Sequence, residues 1–543
     1  MSVMAYMPYG ADGIIIRVES DIRRGIPGVD ITGLAEGAVR EARDRVRAAF
    51  RNSGFSFPLD RILINLAPAG MKKDGAALDL PIALSIMAAA GIAPVSGKLL
   101  VMGELELSGR IRPVRGVLAA IAAGLAEGIT EFIVPAENSA EAVILAGKGA
   151  RFTAAENLQE AVHALFIREE NGELPVSLDA EIPAVKPAAL TRDADTVSKN
   201  ITNTVNSMDF ADVRGQAVYK RALEIAAAGG HNVLVFGPPG AGKTMLARRL
   251  PSIMAPLTPD EAVEVTRLYS LAGPVSNNGG FIDRLITHPP FRVPHHSASA
   301  EGILGGGRIP RPGEISLAHF GVLFLDEAPE FRINVLQALR EPLEDRVISI
   351  VRAEGPLRLP AEFQLLMTAN SCPCGRLGIR DTENACFCSP EEINRYWRRF
   401  GGALLDRVEI RVAVLPPKIE EMSRRNQGGE GKSAGTFSTE IARRVEIAVE
   451  IQRNRFKRTG IRRNAMLPAG KTAVMCPMSE KTEGAFQKAV AKLGLSGRAY
   501  HGILRVARTI ADLDGKDVIE TEHVLEAVYF RRLGEDPWDI LSC

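Results

Sequence analysis

The stretch GPPGAGKT, from Gly237 to Thr244, fits the phosphate-loop pattern G-x-x-x-x-G-K-[ST]. An apolar run, Val233 to Phe236, precedes it, and a helix-like stretch, Met245 to Leu250, follows it. A strand, a loop and a helix in this order would point backbone N–H groups and a helix N-terminus at the phosphates of a nucleotide. We therefore predict ATP binding by Gly237, Pro238, Pro239, Gly240, Ala241, Gly242, Lys243 and Thr244.

Four side chains in and after this loop have separate predicted roles. Lys243 would contact the β- and γ-phosphates as a point charge, and the Thr244 hydroxyl would ligate Mg²⁺. Downstream, GVLFLDE reads as a buried strand that ends in two carboxylates. Asp326 would hold the Mg²⁺, directly or through its water, and Glu327 would polarise the attacking water.

A third element follows the Asp-Glu pair. The strand-like run from Phe363 ends at Thr368-Ala369-Asn370. The amide of Asn370 could orient the water that attacks the γ-phosphate. The alternative is a turn residue without a role in hydrolysis.

Bulk properties restrict the class of protein. A chain of 543 residues exceeds what one core usually organises, so we expect about three domains. With 66 Lys+Arg against 65 Asp+Glu, any surface that attracts nucleic acid must be local. The start lacks a secretory pattern and the most apolar stretch, Leu80 to Pro94, is short, so we expect a cytoplasmic protein without a membrane partner.

Composition divides the chain into blocks and predicts an α/β multidomain fold. The first block has strand-like and helix-like runs of an α+β domain. The block that contains the phosphate loop, called the motor block below, has those of a parallel-sheet α/β domain. The last block has the apolar spacing of helices, as in Ile503, Leu504, Ala507 and Ile510. The predicted divisions are a domain at 1–167, a linker at 168–206, the motor at 207–415, a mobile connection at 416–438 and a helical domain at 439–543.

Two segments of the motor block look like protruding hairpins. The first contains Gly305 to Gly307 and several prolines. The second has strand-like arms, Arg346 to Arg352 and Arg358 to Leu366, around a turn at Glu354-Gly355-Pro356.

Four of the six cysteines form a C-x-C-x₁₁-C-x-C cluster. Four thiolates could supply a tetrahedral zinc site that leaves no open ligand position, so its role would be structural. The spacing is tighter than the usual C-x₂-C, and the alternative is free thiols in an exposed loop. The candidate ligands are Cys372, Cys374, Cys386 and Cys388.

Several motifs together resemble a known family. The order GPPGAGKT, FRVPHHSAS, PGEISLAHFGVLFLDE, LMTANSCPCG and LLDRVEIRV is similar to magnesium-chelatase-like AAA+ ATPases, and most closely to the YifB/ComM family. The resemblance implies a central AAA+ domain, a helical lid and a homo-oligomeric, hexameric ring. The two hairpins, mapped to Gly305–Arg311 and Glu354–Pro356, would line its pore.

The resemblance also implies two arginine roles. Arg407, in ALLDRVEI, matches the arginine finger that enters the neighbouring subunit's site; the alternative is a surface ion pair with Asp406. Arg498, in LSGRAYHGIL, matches the second sensor that folds back onto ATP; the alternative is an arginine that merely opens a helix. The family usually has a basic residue where Gly502 stands.

The first block is similar to the proteolytic domain of Lon-type proteases, through KKDGAALDLPIAL and GELELSGRIRPVRGV. That chemistry needs a serine nucleophile and a lysine base. The matching positions hold Ala77 and Leu118, so we predict a Lon-like fold without this activity. Lys72 and Lys73 could face DNA or a subunit, or could simply be solvated.

The ComM resemblance implies a helicase that moves on single-stranded or branched DNA and promotes branch migration in homologous recombination and natural transformation. Sequence-independent phosphate contacts suit such a motor. The alternatives are a chelatase-like motor that remodels a protein partner and a regulatory ATP-binding module. The candidate DNA contacts are Arg308, Arg311, Arg352 and Arg358.

Overall fold

The computed structural model describes most of the chain in three structural units. The described residues are 2–34, 37–73, 75–95, 97–176, 208–273, 282, 284–307, 310–352, 355–378, 385–416 and 437–532. No helix within these ranges is both long and apolar enough to cross a bilayer.

The N-terminal unit is built on a seven-stranded mixed sheet with the order β3-β4-β2-β1-β5-β8-β9. Alternate residues of β4 are buried, as the period of two of a half-buried strand requires. Its strands are β1 Ser2–Met7, β2 Ile14–Arg23, β3 Gly28–Thr32, β4 Arg61–Ala67, β5 Leu99–Val101, β8 Glu131–Pro135 and β9 Arg151–Ala155, with β6 Glu104–Leu105 and β7 Ile111–Arg112 as a small separate pair. Its helices are Gly37–Asn52, Asp79–Ala89, Val117–Ala126, Ser139–Ala146 and Leu158–Asn171.

The last helix of this unit corrects a predicted boundary. It runs to Asn171, past the expected start of the linker at 168, and Gly172 ends it in the left-handed conformation. The reason is a partly buried ion pair, in which Arg168 Nη2 lies 2.6 Å from Glu131 Oε2. Residues 177–206 of the predicted linker and 417–436 of the predicted connection lie outside the described residues.

The central unit has a five-stranded parallel sheet with the order β11-β14-β17-β10-β18. Every residue of β10, β14 and β17 is buried, because helices cover both faces of such a sheet and its strands are continuous apolar runs. The strands are β10 Val233–Phe236, β11 Phe291–Arg292, β14 Val322–Leu325, β17 Gln364–Ala369 and β18 Ile410–Ala413. The helices are Ala217–Gly229, Lys243–Ala247, Pro259–Ala272, Ala300–Leu304, Glu314–Leu317, Ile333–Ala338, Arg340–Asp345, Pro390–Trp397 and Gly402–Leu405.

Both predicted hairpins are present. β12 Gly305–Gly306 pairs with β13 Arg311–Pro312, and β15 Val347–Arg352 pairs with β16 Gly355–Pro360. The predicted turn of the second hairpin was misplaced, since Gly355 pairs with Arg352 and therefore belongs to a strand together with Pro356.

The C-terminal unit is helical. Ile503, Leu504, Ala507, Ile510 and Ala511 are all buried, and they share one core with residues of the central sheet such as Val233. The fold is thus the predicted α/β fold with a helical lid packed against the central domain. The helices are Ser438–Phe456, Ala469–Met475, Glu480–Leu493, Gly497–Leu513 and Thr521–Arg532.

The N-terminal and central units meet at a buried polar contact. Glu141 accepts a hydrogen bond from the Leu118 amide at 2.8 Å and another from the Ser270 hydroxyl. Burial raises the pKa of Glu141. Leu118, predicted above to stand in place of a lysine base, lies in one apolar cluster with Ala77 and with Leu271 of the central unit.

One predicted surface lysine is in fact internal. Lys73 is completely buried, and its ammonium donates to the carbonyl oxygen of Gly33 at 2.8 Å and to that of Pro68. These carbonyls satisfy two of its three hydrogen-bond donors inside the domain. The expectation that Lys73 could face DNA was therefore wrong; Lys72 is exposed.

Candidate nucleotide-binding site

The candidate site lies at the carboxyl ends of three neighbouring strands. The phosphate loop follows β10, Asp326 follows β14 and Asn370 follows β17, and the sheet order places β17 between the other two. Parallel strands end at the same edge of a sheet, so these groups converge although they are far apart in sequence.

Glycines shape the loop for specific steric reasons. Gly240 and Gly242 have φ values of 75° and 81°, a left-handed region that favours glycine. A methyl group added at Gly237 would lie 2.0 Å from the carbonyl oxygen of Val414, which directly follows β18. The loop therefore needs glycine for its turns and for its close approach to the sheet.

Lys243 crosses the inside of the loop. Its Nζ donates to the carbonyl oxygens of Gly237 at 2.7 Å and Pro238 at 2.9 Å, and to Asn370 Oδ1 at 3.1 Å. Burial lowers the pKa of Lys243 to about 8, although the nearby carboxylates of Asp326 and Glu327 act in the opposite direction.

This pKa predicts a pH dependence. Lys243 binds phosphate as a cation, and its protonated fraction falls as the pH rises through 8. We expect nucleotide affinity to decrease roughly tenfold between pH 7 and 9. Titrations of a fluorescent ATP analogue at several pH values would measure it. In Lys243→Arg the guanidinium stays charged, so the slope should disappear; the same slope in both proteins would assign it to another group.

Asp326 is held by two hydroxyl groups. Thr244 Oγ1 donates to Asp326 Oδ1 at 2.9 Å, and Thr368 Oγ1 donates to the same oxygen at 2.6 Å. Thr368 Oγ1 also accepts the backbone N–H of Glu327 at 2.9 Å. A hydroxyl and a carboxylate this close fit a Mg²⁺ that keeps several of its waters. Sequence reasoning missed Thr368, whose only signal was a hydroxyl in an apolar strand.

Glu327 directly follows Asp326 in the chain, and Asn370 lies two residues after Thr368. Glu327 is exposed and has φ 51° and ψ 49°, a conformation that is uncommon for a residue other than glycine. The backbone N–H of Asn370 donates to the Tyr396 hydroxyl at 3.2 Å, and the indole of Trp397 donates to the Ser371 carbonyl oxygen at 3.0 Å. Helix Pro390–Trp397 thus fixes the strand end that carries Asn370.

The four cysteines lie together in space, and the first of them, Cys372, comes two residues after Asn370. The Sγ atoms of Cys372 and Cys374 are 3.3 Å apart, and each is 3.6 Å from that of Cys386. All four sulfur atoms, including that of Cys388, lie within 4.8 Å of one another. Tetrahedral zinc with Zn–S bonds of about 2.3 Å would require separations of about 3.8 Å. Cys372 is fully buried, so the alternative of an exposed loop does not hold for it.

The two predicted arginines lie at the opposite edge of the sheet. The carbonyl oxygen of Arg407 accepts from Asn232 Nδ2 at 2.9 Å, and Asn232 precedes β10, whereas the phosphate loop follows it. Four residues of strand separate the two edges by roughly 13 Å. Arg407 therefore does not reach the phosphate loop of its own chain.

Arg498 lies beside Arg407, and its role as the second sensor stays a prediction. Its Nη2 donates to Glu344 Oε1 at 3.1 Å, and Arg407 Nη2 donates to the same carboxylate. Asp406 pairs instead with Arg531 at 2.8 Å, so the alternative Asp406–Arg407 ion pair was wrong. This cluster lines a cavity of about 200 Å³ between the sheet and the lid.

The hairpin arginines are only partly described. Arg311 and Arg358 are exposed, and Arg358 lies opposite Ser349 on the outer face of its hairpin. The backbone of Arg352 ends β15. Arg308 lies outside the described residues.

Comparison with known proteins identifies the family. The family model "Magnesium chelatase, subunit ChlI" matches residues 209–422. The models "Subunit ChlI of Mg-chelatase" and "Magnesium chelatase, subunit ChlI C-terminal" match 18–138 and 435–531. Competence protein ComM of Haemophilus influenzae is 40% identical over 526 residues, 96% of each chain. The chain belongs to the ComM/YifB family of magnesium-chelatase-like AAA+ ATPases.

Two further relatives differ in how much of the chain they match. YifB of Escherichia coli is 39% identical over 526 residues, which is 96% of this chain and 95% of YifB. Lon protease 2 of Bacillus subtilis is 30% identical over 160 residues, 28% of each chain. The ComM/YifB likeness thus spans nearly the whole chain, whereas the Lon likeness is partial.

Proposed function

We propose that this protein hydrolyses ATP with Mg²⁺ and uses the energy to move along DNA, as a helicase that promotes branch migration during homologous recombination and natural transformation. The convergence of Lys243, Thr244, Asp326 and Asn370 at one sheet edge carries the proposal for ATP.

The roles follow from the contacts. On binding, phosphate oxygens replace the carbonyl acceptors of Lys243, and Thr244 and Asp326 hold Mg²⁺. Glu327, exposed at the end of β14, polarises the attacking water, which Asn370 orients. Thr368 positions the Asp326 carboxylate and the backbone of Glu327, since its hydroxyl donates to the first and accepts the N–H of the second.

The arginine positions support a ring. Arg407 and Arg498 share Glu344 at the sheet edge opposite the phosphate loop. When a neighbouring subunit docks its phosphate loop at this edge, the γ-phosphate oxygens of its ATP replace Glu344 as the partner of both arginines. Both arginines then act on the neighbour's ATP within a homo-oligomer, a hexameric ring as in the family.

DNA is the proposed partner of the two hairpins. Exposed Arg311 and Arg358 provide local positive charge on a chain with a formal net charge of +1, which suits contacts with phosphates independent of sequence. This role agrees with the name of one relative, competence protein ComM.

Unwinding of branched DNA tests the function. We expect the wild type to separate a labelled four-way junction only with ATP and Mg²⁺, and Lys243→Ala to have no activity because the phosphates lose their cation. Arg358→Ala should weaken DNA binding and reduce the salt dependence of affinity, with nearly unchanged basal hydrolysis. ATP hydrolysis that is indifferent to DNA and no unwinding would contradict the helicase.

A second candidate is a motor that remodels a protein partner. The matches to three family models of a magnesium-chelatase subunit favour it. In that case hydrolysis would respond to a protein and remain unchanged with junction or single-stranded DNA.

Two further proposals concern the other parts of the chain. Cys372, Cys374, Cys386 and Cys388 hold a structural zinc ion, because their sulfur separations are close to those of a tetrahedral site and a disulfide would need about 2.05 Å. The N-terminal unit has no Ser-Lys proteolysis, since the side chains of Ala77 and Leu118 offer neither a nucleophile nor a base.

A further inference from the structure

The cysteine cluster is in direct contact with the phosphate loop. Gly375, between the two cysteine pairs, has φ 78°, and a methyl group added to it would lie 2.9 Å from Pro239 Cδ. Pro239 is the third residue of GPPGAGKT. The backbone of the cluster therefore forms part of the wall against which the phosphate loop rests.

Besides the sulfur atoms, the wall is held by a turn in which the Gly375 amide donates to the Cys372 carbonyl oxygen at 3.0 Å. Residues 371–378 and 385–389 contain no helix or strand, so no regular hydrogen-bond ladder holds them. The buried Sγ of Cys372 accepts the Leu377 amide at 3.4 Å, which ties the turn around Gly375 to a sulfur atom. The position of Gly375 thus depends on how the four sulfur atoms are held.

We propose that zinc in this cluster clamps the phosphate loop, so that zinc occupancy sets the affinity for nucleotide. The inference rests on the ATP and zinc sites proposed above. Four sulfur ligands leave the ion no open position for a phosphate, so zinc acts through the shape of residues Cys372–Leu377 and not as a Lewis acid. The clamp joins Pro239 on one side to Asn370, two residues before Cys372, on the other.

Thermodynamic linkage makes the proposal reciprocal. If zinc tightens nucleotide binding by some factor, nucleotide must tighten zinc binding by the same factor. In equilibrium competition with a chromophoric chelator, wild-type protein should therefore bind zinc more tightly when MgATP is present. Equal zinc affinity with and without MgATP would overturn the clamp, and this measurement needs no variant.

Variants test the clamp separately from the proposed zinc and ATP sites. We expect one zinc per wild-type chain by elemental analysis, and loss of zinc with a tenfold or larger increase in the Kd for a fluorescent ATP analogue in Cys374→Ser and Cys386→Ser. Cys476→Ser, at a buried cysteine of the lid, is the matched control and should keep both. Lys243→Ala should keep zinc and lose nucleotide, which reports on the ATP site alone.

Gly375→Ala tests the contact itself. It retains all four thiols but places a methyl group against Pro239 in a backbone conformation that disfavours alanine. We expect zinc to remain and nucleotide affinity to fall severalfold. Zinc-free protein that binds nucleotide as tightly as the wild type, or wild type that contains no zinc, would overturn the proposal.

Discussion

Replacing Glu327 by glutamine should leave ATP binding intact and slow hydrolysis by a factor of about 10² to 10⁴, the range for loss of a general base. The substitution keeps Asp326, Thr244 and Lys243, so the groups proposed for Mg²⁺ and phosphate survive. The glutamine amide is neutral and cannot polarise the attacking water. Single-turnover hydrolysis and the Kd for a fluorescent ATP analogue would separate the two effects.

Two controls bracket this experiment. Glu330→Gln removes an exposed carboxylate three residues further along and should hydrolyse ATP as the wild type does. Lys243→Ala should bind ATP poorly. If Glu327→Gln bound as weakly as Lys243→Ala, or hydrolysed ATP at the wild-type rate, Glu327 would not have the proposed role.

Arg407→Ala should reduce hydrolysis about 10³-fold, as expected for an arginine that stabilises charge on the transferred phosphoryl group. The more informative result is complementation with Lys243→Ala, which is inactive for a different reason. An Arg407→Ala subunit retains its phosphate loop, and a Lys243→Ala neighbour retains its arginine. Their contact therefore rebuilds a complete site.

The size of this rescue follows from counting neighbours. In a 1:1 mixture assembled at random, about a quarter of the contacts combine an intact loop with an intact arginine. Mixing Lys243→Ala with Glu327→Gln should give no rescue, because both defects lie at the same sheet edge. Absence of rescue in the first mixture, with mixed assembly verified by mass photometry, would mean that Arg407 does not act on the neighbour's site.

Much of the fold was predictable because short contiguous patterns encode it. The apolar runs Val233–Phe236 and Val322–Leu325 form strands with those bounds, since a strand buried on both faces is a continuous apolar run. The spacing of Ile503, Leu504 and Ala507 marks the buried face of a lid helix. The boundary at 168 failed because Arg168 looks like a linker residue until its pairing with Glu131 is seen.

By itself, the sequence determined the identity of the phosphate loop, the Asp-Glu pair and the family, because each depends on residue order within a few positions. Only the tertiary structure decided which groups meet. The strand order brings Lys243 to Asn370 and Thr368 to Asp326, and the packing of the lid on the sheet places Arg498 beside Arg407 at the other edge. The tertiary structure also packs the cysteine cluster on Pro239. The physical reason is that these contacts depend on how parallel strands are ordered side by side, which no local run of residues encodes.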